Sequence, residues 1–284
     1  MKTKFFLSVL ACLVYLGSFG QNDLISAKQF MDMTKADNNM VIIDASKASS
    51  YKTSHIKGAV NIPHTTLYKS GDIEGLIKSP EELAKFFGSK GISDKNTIVL
   101  YDGGSQKYST RVYWVFKYLG AKNVKILHKD MNQWKKVRVP LTRMPAAAKP
   151  TTFTANVDKS VYVDMAYVKT NLANDNVKIV DARTKAEFNG TSDNPTSDGH
   201  IPGAINLDHK DLLTDSEAFK TKDAIAAVAA QAGISAGNEI ILYCRTSVRG
   251  AVLYVAFKEI LGYSNVKIYD GAYTEWATKY DFEK

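Results

Sequence analysis

The chain has 284 residues, of which 45% are hydrophobic and 23% charged, and it carries a formal net charge of +8. This length is sufficient for two domains of ordinary size. The lysines are scattered, and no stripe combines basic with aromatic side chains, which argues against a nucleic-acid or membrane-surface partner. The positive balance is sufficient to attract a small anionic substrate.

Residues 1–20 have the features of a secretory signal peptide. Lys2 and Lys4 give a basic start, an apolar run extends from Phe5 to Tyr15, and small residues precede the expected cleavage site near Gln21. The run is too short for a stable membrane span, and no later stretch is long and apolar enough to cross a bilayer. We therefore expect a periplasmic or secreted protein with no membrane attachment after cleavage.

The chain has two cysteines, Cys12 and Cys244, and cleavage would leave only Cys244. The mature chain could then form no internal disulfide, even in an oxidising compartment. Cys12 lies inside the apolar run, so a lipoprotein signal with a lipidated Cys12 is the alternative. The apolar character continues past Cys12, which favours the cleaved signal peptide.

The mature chain repeats itself once. Four blocks of the first half recur in the second: residues 40–45 and 177–182, 55–62 and 200–207, 97–102 and 239–244, and 119–126 and 261–268. The last two pairs share an offset of 142 residues (244 − 102 and 261 − 119). Two copies, each the size of a domain, indicate a duplication and not a solenoid.

Short apolar strands alternate with helical stretches in each copy. After the strand at 97–102, for example, Val112, Val115, Phe116 and Leu119 fall on one helical face. The alternation predicts an α/β fold with two tandem domains, each a parallel sheet flanked by helices on both faces. A proline-bearing stretch between the copies is typical of an extended linker. We divide the chain into residues 1–20 (signal peptide), 21–138 (first domain), 139–152 (linker) and 153–284 (second domain).

Cys244 lies where a predicted buried strand, 239–243, leads towards a predicted helix, 251–257. Unpaired backbone N–H groups and the positive end of a helix dipole meet in such a turn, and Arg245 and Arg249 add positive charge. All of these favour a thiolate. A buried structural cysteine is the alternative, but it would not suit two neighbouring arginines, since burying them unpaired is costly. We interpret Cys244 as a reactive nucleophile.

Together these features resemble the two-domain rhodanese-type sulfurtransferases, the family that includes thiosulfate and 3-mercaptopyruvate sulfurtransferases. The resemblance rests on the Cys244 loop and on a His-Ile-x-Gly-Ala block that begins at His55 and again at His200. Residues 269–276 resemble the family's C-terminal signature. Asp102 stands at the cysteine position of the first copy, as in the family's inactive N-terminal domains. The resemblance covers nearly all of the mature chain.

The resemblance implies two rhodanese-like domains, of which only the second is catalytic. Cys244 would take a sulfane sulfur from thiosulfate, or from 3-mercaptopyruvate as second choice, and hold it as a persulfide until cyanide or a thiol removes it. The backbone N–H groups of Thr246, Ser247 and Val248 would cradle the persulfide. Substrate binding is assigned to Arg183, Arg245 and Arg249. The structural alternative for Arg183 is an ion pair with Asp181 or Glu187.

The loop departs from the family pattern at two places. Many members have glycine where Ser247 stands, and two-domain members often end the loop with Thr-Ala instead of Arg249-Gly250. Both departures bear on the choice of donor.

The other polar residues have structural interpretations. We expect His55 and His200 to fix their turns, and Asp44 and Asp181 to accept backbone hydrogen bonds. Asp270 and Glu275 are expected to cap the following helix. The remaining histidines (His64, His128 and His209) show no metal-ligand spacing, and no phosphate-binding loop is present. We therefore expect neither metal nor cofactor, and a monomer.

Two other functions are considered. Cysteine-dependent phosphatases and arsenate reductases also use a cysteine loop that ends in arginine. Four residues separate Cys244 from Arg249, one fewer than in the related phosphatase loops, so the ring fits a sulfur atom better than a phosphate. A persulfide carrier or redox-sensing binding protein remains open, because turnover with a small acceptor is what would distinguish it.

The loop after Asp102, residues 103–107, lacks both arginines and keeps Lys107 as its positive group. A carboxylate can accept the same loop N–H bonds as a thiolate. We therefore predict that Asp102 holds this loop in shape without performing chemistry.

Overall fold

A computed structural model of the chain describes residues 23–104, 106–193 and 198–284. The predicted signal peptide and Cys12 lie outside the described residues, so both remain predictions. In the described part of the chain, no helix has both the length and the apolar character needed to span a bilayer.

The first half alternates strands and helices as its sequence pattern predicts. Its elements are β1 (Leu24–Ile25), α1 (Ala27–Ala36), β2 (Met40–Asp44), α2 (Ala48–Thr53), β3 (His55–Ile56), β4 (Val60–Asn61), α3 (Pro80–Ser89), β5 (Thr97–Tyr101), α4 (Lys107–Tyr118), β6 (Val124–Leu127), α5 (Met131–Lys136) and β7 (Leu141–Thr142). A 3₁₀ turn covers His64–Leu67.

Five of these strands form one parallel sheet in the order β1-β6-β5-β2-β4. Side chains alternate between the two faces of a strand, and in β5 Ile98 and Leu100 face one apolar cluster while Val99 and Tyr101 face another. Helices α3 and α4 cover the first face, and α1 and α5 cover the second. The predicted α/β architecture is confirmed for this half.

The second half contains a second set of strands and helices. Its elements are β8 (Tyr162–Val163), α6 (Met165–Thr170), β9 (Val177–Asp181), α7 (Lys185–Phe188), β10 (Ile205–Asn206), α8 (Lys222–Gln231), β11 (Glu239–Tyr243), α9 (Gly250–Val255), β12 (Val266–Tyr269) and α10 (Ala272–Trp276). 3₁₀ turns cover Lys159–Val161 and His209–Leu212, and a π-helical segment, Ala256–Leu261, continues α9.

The second sheet has the same topology as the first. Its strands are parallel in the order β8-β12-β11-β9-β10, so that β11 takes the central place of β5 and β9 takes the place of β2. The match of strand order and direction confirms that the sequence repeat is a duplication of one fold.

The segment between the halves is anchored to the first half. β7 pairs antiparallel with β3, and further along Thr151 N–H donates to the carbonyl of Gly88 and Asn156 N–H to that of Leu119. Gly120 has a φ of +76°, and a Cβ there would lie 1.9 Å from the Asn156 carbonyl oxygen, so only glycine fits this crossing. The domain limits drawn from the sequence remain a prediction.

The two halves pack through helices α4 and α9, whose buried residues belong to one continuous apolar cluster. Each half also extends a short hairpin onto the other. Residues 68–77, closed by a bridge between Tyr68 and Ile77, reach the second half, and residues 213–219, closed by a bridge between Leu213 and Phe219, reach the first. The reciprocal contacts bring the Cys244 loop and the Asp102 loop to the same interface.

The predicted structural roles of the two histidine blocks are confirmed. His55 is buried, stacks on Tyr51 and bonds through Nδ1 to the Tyr51 carbonyl at 2.7 Å. His200 repeats this arrangement on Phe188. Asp44 and Asp181 accept backbone N–H bonds two residues further on, as expected.

The expectation that Asp270 caps the next helix is wrong. Helix α10 begins after Gly271, which makes no side-chain cap, and Glu275 lies within the helix. Asp270 instead accepts the N–H of Ile77 at 3.0 Å and forms a buried ion pair with Arg111 of α4. Both partners belong to the first half, so Asp270 joins the two halves.

Candidate active site

Cys244 follows the central strand β11, and the helix α9 begins six residues later at Gly250. Its side chain is 1% exposed, at the bottom of a cavity between the two halves. The backbone N–H of Arg249, the N-cap residue of α9, donates to Cys244 Sγ at 3.3 Å. The predicted strand–loop–helix setting of the cysteine is confirmed.

The backbone N–H groups of the Cys244 loop take no part in the hydrogen bonds of a helix or sheet. Among the described residues, the N–H groups of Arg245, Thr246, Ser247 and Val248 have no hydrogen-bond partner. Such donors around a sulfur position can stabilise negative charge there. The donors of the predicted persulfide cradle are therefore available, although only the Arg249 N–H bonds to Sγ in this structure.

Ser247 adopts a φ of +57°, in the left-handed region that favours glycine. Its side chain is buried, and Oγ donates to the carbonyl of Tyr269 at 2.6 Å. This bond offsets the backbone cost and ties the loop tip to the end of β12. The serine in place of the family's glycine thus has a local structural explanation.

Arg249 is held by a carboxylate. Its Nη1 and Nη2 donate to the two oxygens of Glu187 at 2.6 and 2.8 Å. Burial would raise the pKa of Glu187, but the hydrogen bonds from Arg249 and Thr184 outweigh burial and lower that pKa to about 2. Arg249 therefore lines the cavity as a fixed, charge-compensated group.

Arg245 also lines the cavity and is more exposed than Arg249. Its Nη1 and Nη2 donate to the carboxylate of Glu74 at 3.2 and 2.5 Å, and Glu74 belongs to the first half. Both side chains line the cavity. Arg245 is thus placed where it can reach a bound anion.

Arg183 is not brought into the cavity. Its side chain is fully buried, and the guanidinium donates to both oxygens of Asp181 and to the carbonyl of Gly199. The group also lies over the ring of Tyr273. The structure thus supports the alternative given for Arg183, an ion pair with Asp181, while Glu187 is bound by Arg249.

The cavity has a volume of about 1020 Å³ and is lined by both halves. Residues of the second half surround Cys244, and the first half contributes His64, Glu74, Lys107 and Tyr108. Burial, together with the charges of Arg111, Lys107 and Lys47, lowers the pKa of His64 to about 4, so His64 is neutral at physiological pH. His209 lies on another wall and bonds to Asp208 at 2.8 Å. The described residues contain no cluster of ligands that could hold a metal ion.

The sequence profile of the rhodanese-like domain matches residues 26–137 and again residues 164–279. The two matches cover most of the chain and fall one on each half of the duplication. The chain belongs to the rhodanese family.

Several relatives within the family match along most of their length. A Mycobacterium tuberculosis protein named "Putative thiosulfate sulfurtransferase" is 30% identical over 81% of this chain and 85% of its own. The thiosulfate sulfurtransferase of Gallus gallus is 27% identical over 89% of this chain and 92% of its own.

Solved structures resemble this chain over most of its length. SseA from Escherichia coli, a 3-mercaptopyruvate sulfurtransferase, superposes with a TM-score of 0.78 at 27% identity, covering 88% of this chain and 98% of its own. An anaerobic ergothioneine biosynthesis enzyme from Chlorobium limicola superposes with a TM-score of 0.83, over 93% of this chain and 70% of its own. Its identity is 20%, so that likeness concerns the fold alone.

The first rhodanese domain carries a carboxylate where the second has its cysteine. Asp102 Oδ1 accepts the N–H groups of Gly104 and Gln106, and Oδ2 accepts those of Tyr108 and Ser109. The predicted role of Asp102 as the acceptor that shapes its loop is confirmed. Lys107 lines the shared cavity, so the first loop supplies charge to the second domain's site.

Sequence reasoning missed Glu74 and misplaced Glu187. Glu74 is 171 residues from Arg245 in the sequence, and no local pattern marks it. Glu187 stands three residues after Thr184, a spacing that indicates a capping box, and the structure forms that box. The sequence spacing indicates the capping box, but the ion pair with Arg249, 62 residues away, depends on how the domain folds.

Proposed function

We propose that the protein is a thiosulfate sulfurtransferase that also accepts 3-mercaptopyruvate, with Cys244 as the sulfur carrier. The observation that carries the proposal is the placement of Cys244 in a cavity also lined by Arg245 and Arg249, with the Arg249 N–H donating to its sulfur, in a chain of the rhodanese family. The sulfurtransferase names of the relatives support the same reaction.

The first half-reaction moves one sulfur onto the enzyme. The Cys244 thiolate attacks the outer sulfur of thiosulfate, the S–S bond of the donor breaks, and sulfite leaves with the bonding electron pair. With 3-mercaptopyruvate the C–S bond breaks instead, and the leaving carbon takes up a proton to give pyruvate. Arg245 binds the oxygens of the donor, and Arg249 keeps a positive charge beside the sulfur.

The second half-reaction returns the sulfur to an acceptor. Cyanide or a thiol attacks the outer sulfur of the persulfide, and the Cys244 thiolate leaves. The unpaired amides at 245–248 and the Arg249 N–H stabilise the anionic sulfur throughout the cycle. The proposal assigns no step to a metal or cofactor.

The proposal is tested by initial-rate measurements in which donor and cyanide are varied together. We expect thiocyanate formation with parallel reciprocal plots for thiosulfate, which indicate a covalent intermediate. Persulfide formation without any turnover by cyanide or thiols would instead identify a carrier. Hydrolysis of aryl phosphates with no sulfur transfer would identify the phosphatase alternative.

We also propose that the mature protein acts in the periplasm or outside the cell, as a monomer. The basic and apolar N-terminal sequence supports export. The apolar faces of α4 and α9 cover each other within one chain, which supports the monomer. N-terminal sequencing of protein from cell fractions and light scattering test these points. A cytoplasmic protein that keeps residues 1–20, or a dimer, would contradict them.

A further inference from the structure

The hairpin at residues 68–77 of the first domain crosses onto the Cys244 loop and carries Glu74. Its backbone is fastened at Glu74 and at two residues that follow it. The Thr274 hydroxyl donates to the Glu74 carbonyl at 2.9 Å, Arg111 donates to the Gly75 carbonyl at 3.0 Å, and Ile77 N–H donates to Asp270. The position of Glu74 is therefore set by the second domain as well as by its own.

Gly75 allows the hairpin and the Cys244 loop to approach each other closely. It has a φ of +93°, and a Cβ there would lie 2.6 Å from Thr246 Cβ in the active loop. The hairpin thus rests directly on the loop that follows Cys244. The Glu74 carboxylate next to this contact meets the guanidinium of Arg245 through two hydrogen bonds.

The two arginines of the loop differ in how firmly they are held. The Glu187–Arg249 pair is nearly buried, with side chains 7% and 18% exposed, whereas Glu74 and Arg245 are 58% and 36% exposed. An exposed ion pair contributes little net free energy and exchanges readily with other ions. The Arg245 guanidinium is therefore the one that an incoming anion can take over.

The Glu74 carboxylate accepts two hydrogen bonds from the Arg245 guanidinium, as a carboxylate or sulfonate of a donor would. We propose that Glu74 is a positioning residue that sets donor specificity, because each donor must displace it from Arg245. This inference rests on the proposed function and names a determinant of its donor step. It assigns a residue of the inactive domain to the selection of substrate.

The charge of the donor decides how strongly Glu74 acts. Thiosulfate brings two negative charges into the cavity, while 3-mercaptopyruvate brings one carboxylate and a thiol. While it is bound to Arg245, the Glu74 carboxylate neutralises the charge of that guanidinium, and the attraction that is lost is greater for the dianion. Glu74 therefore shifts preference away from thiosulfate and towards 3-mercaptopyruvate.

The test compares KM and kcat for both donors in the wild type and in Glu74→Gln. We expect the KM for thiosulfate to fall about three- to tenfold, because the variant removes one negative charge near the donor. The KM for 3-mercaptopyruvate should change less. The change in kcat should stay below about twofold. The effect should shrink at high salt, because the pair is exposed.

Two further variants separate a local effect from a general one. Asp72→Asn removes a negative charge from the same hairpin, at an exposed residue outside the cavity lining, and should leave both KM values within about twofold of the wild type. In an Arg245→Gly background, Glu74→Gln should have no further effect, since Glu74 acts through Arg245. Glu74→Ala, which also removes the carboxylate, should reproduce the result if the glutamine variant folds poorly.

The outcomes distinguish this inference from the proposed function. If the wild type transfers sulfur but Glu74→Gln has the same ratio of thiosulfate to 3-mercaptopyruvate efficiency, the inference is overturned and the function stands. An equal response in Asp72→Asn, or an undiminished effect in the Arg245→Gly background, also overturns it. A wild type that takes no sulfur from either donor overturns both.

Discussion

Arg249 joins the sulfur of Cys244 to the body of the second domain through two different groups. Its backbone N–H donates to Sγ, and its guanidinium binds Glu187 at the start of α7. The contact with the sulfur is made by the Arg249 backbone, and the position of its guanidinium is fixed by Glu187. Arg245 has an exposed partner, Glu74. The site therefore combines one arginine with a nearly buried carboxylate partner and one arginine with an exposed partner that can exchange.

Arg245→Gly should weaken the use of thiosulfate and improve the relative use of 3-mercaptopyruvate. A hydrogen-bonded contact to a charged group is worth roughly 1.5–3 kcal/mol, so we expect a loss of at least about tenfold in kcat/KM for thiosulfate. Steady-state assays with both donors provide the measurement, and Arg245→Lys serves as the charge-conserving control. An unchanged ratio of the two donors would show that Arg245 does not contact the donor.

Glu187→Gln should change the dependence of stability on pH. The pKa of Glu187 is lowered from 4.5 to about 2 in the folded protein, so its contribution is complete above pH 4.5 and is lost as the pH falls towards 2. Urea unfolding of the wild type should show this loss, of at most about 3 kcal/mol, which the variant should lack. Glutamine keeps an oxygen for the Thr184 capping box, so the comparison isolates the charge. Parallel pH profiles of the two proteins would contradict the assigned role.

At the scale of elements, the same strand–loop–helix unit occurs twice, with a different residue at the end of the strand in each domain. In the second domain β11 leads through Cys244 to α9, and in the first β5 leads through Asp102 to α4. Among the described residues, Asp102 accepts four backbone N–H bonds, whereas Cys244 accepts one and the neighbouring amides have no partner. One loop is closed by its own side chain, and the other remains available to a ligand.

Asp102→Cys in a Cys244→Ser background should create no second active site. The new thiol would lack both arginines, so no group would bind the donor there. It would also lose the hydrogen bonds that the Asp102 carboxylate accepts, so the loop should be less ordered. Thiosulfate:cyanide transfer and a sulfur adduct on the intact protein are the two readouts. Activity near the wild-type level would show that the first loop is a competent cradle.

Local sequence patterns were sufficient to predict the strands and helices but not the ion-pair partners of charged side chains. The apolar strand at 239–243, the helical face of α4 and the duplicated parallel sheets follow from periodicity and repeats, and the structure confirms them. The partners of Arg245 and Asp270 come from the other domain, 171 and 159 residues away. Pairing over such distances depends on how the two domains dock, which no local spacing encodes. For Arg183 the sequence left two interpretations open, substrate binding or an ion pair, and the structure shows its guanidinium paired with Asp181.

For the whole molecule, the active site exists because the two domains are locked together. Helices α4 and α9 share one apolar cluster, and the buried Arg111–Asp270 pair spans the boundary. Asp270 also accepts the N–H of Ile77, at the end of the hairpin that carries Glu74. The first domain therefore forms a wall of the cavity and holds one of its charged groups in place.

Asp270→Asn should destabilise the molecule, because it leaves the charge of Arg111 buried without its counter-ion. Loss of one partner of a buried pair typically costs about 3–5 kcal/mol, and we expect a decrease of this order in the free energy of unfolding. Asp32→Asn, which breaks an exposed pair with Lys28, is the matched control and should leave the free energy of unfolding almost unchanged. Equal stability losses in the two variants would contradict the role of the buried pair.

The most direct measurement of the central claim is the intact mass of the protein after mixing with thiosulfate in the absence of an acceptor. We expect the wild type to gain the mass of one sulfur atom and to lose it again, with release of thiocyanate, when cyanide is added. Cys244→Ser should fold normally and gain nothing, since serine has nearly the same shape but is not ionised near neutral pH. A wild type that gains no sulfur, or a serine variant that does, would contradict the assignment of Cys244 as the sulfur carrier.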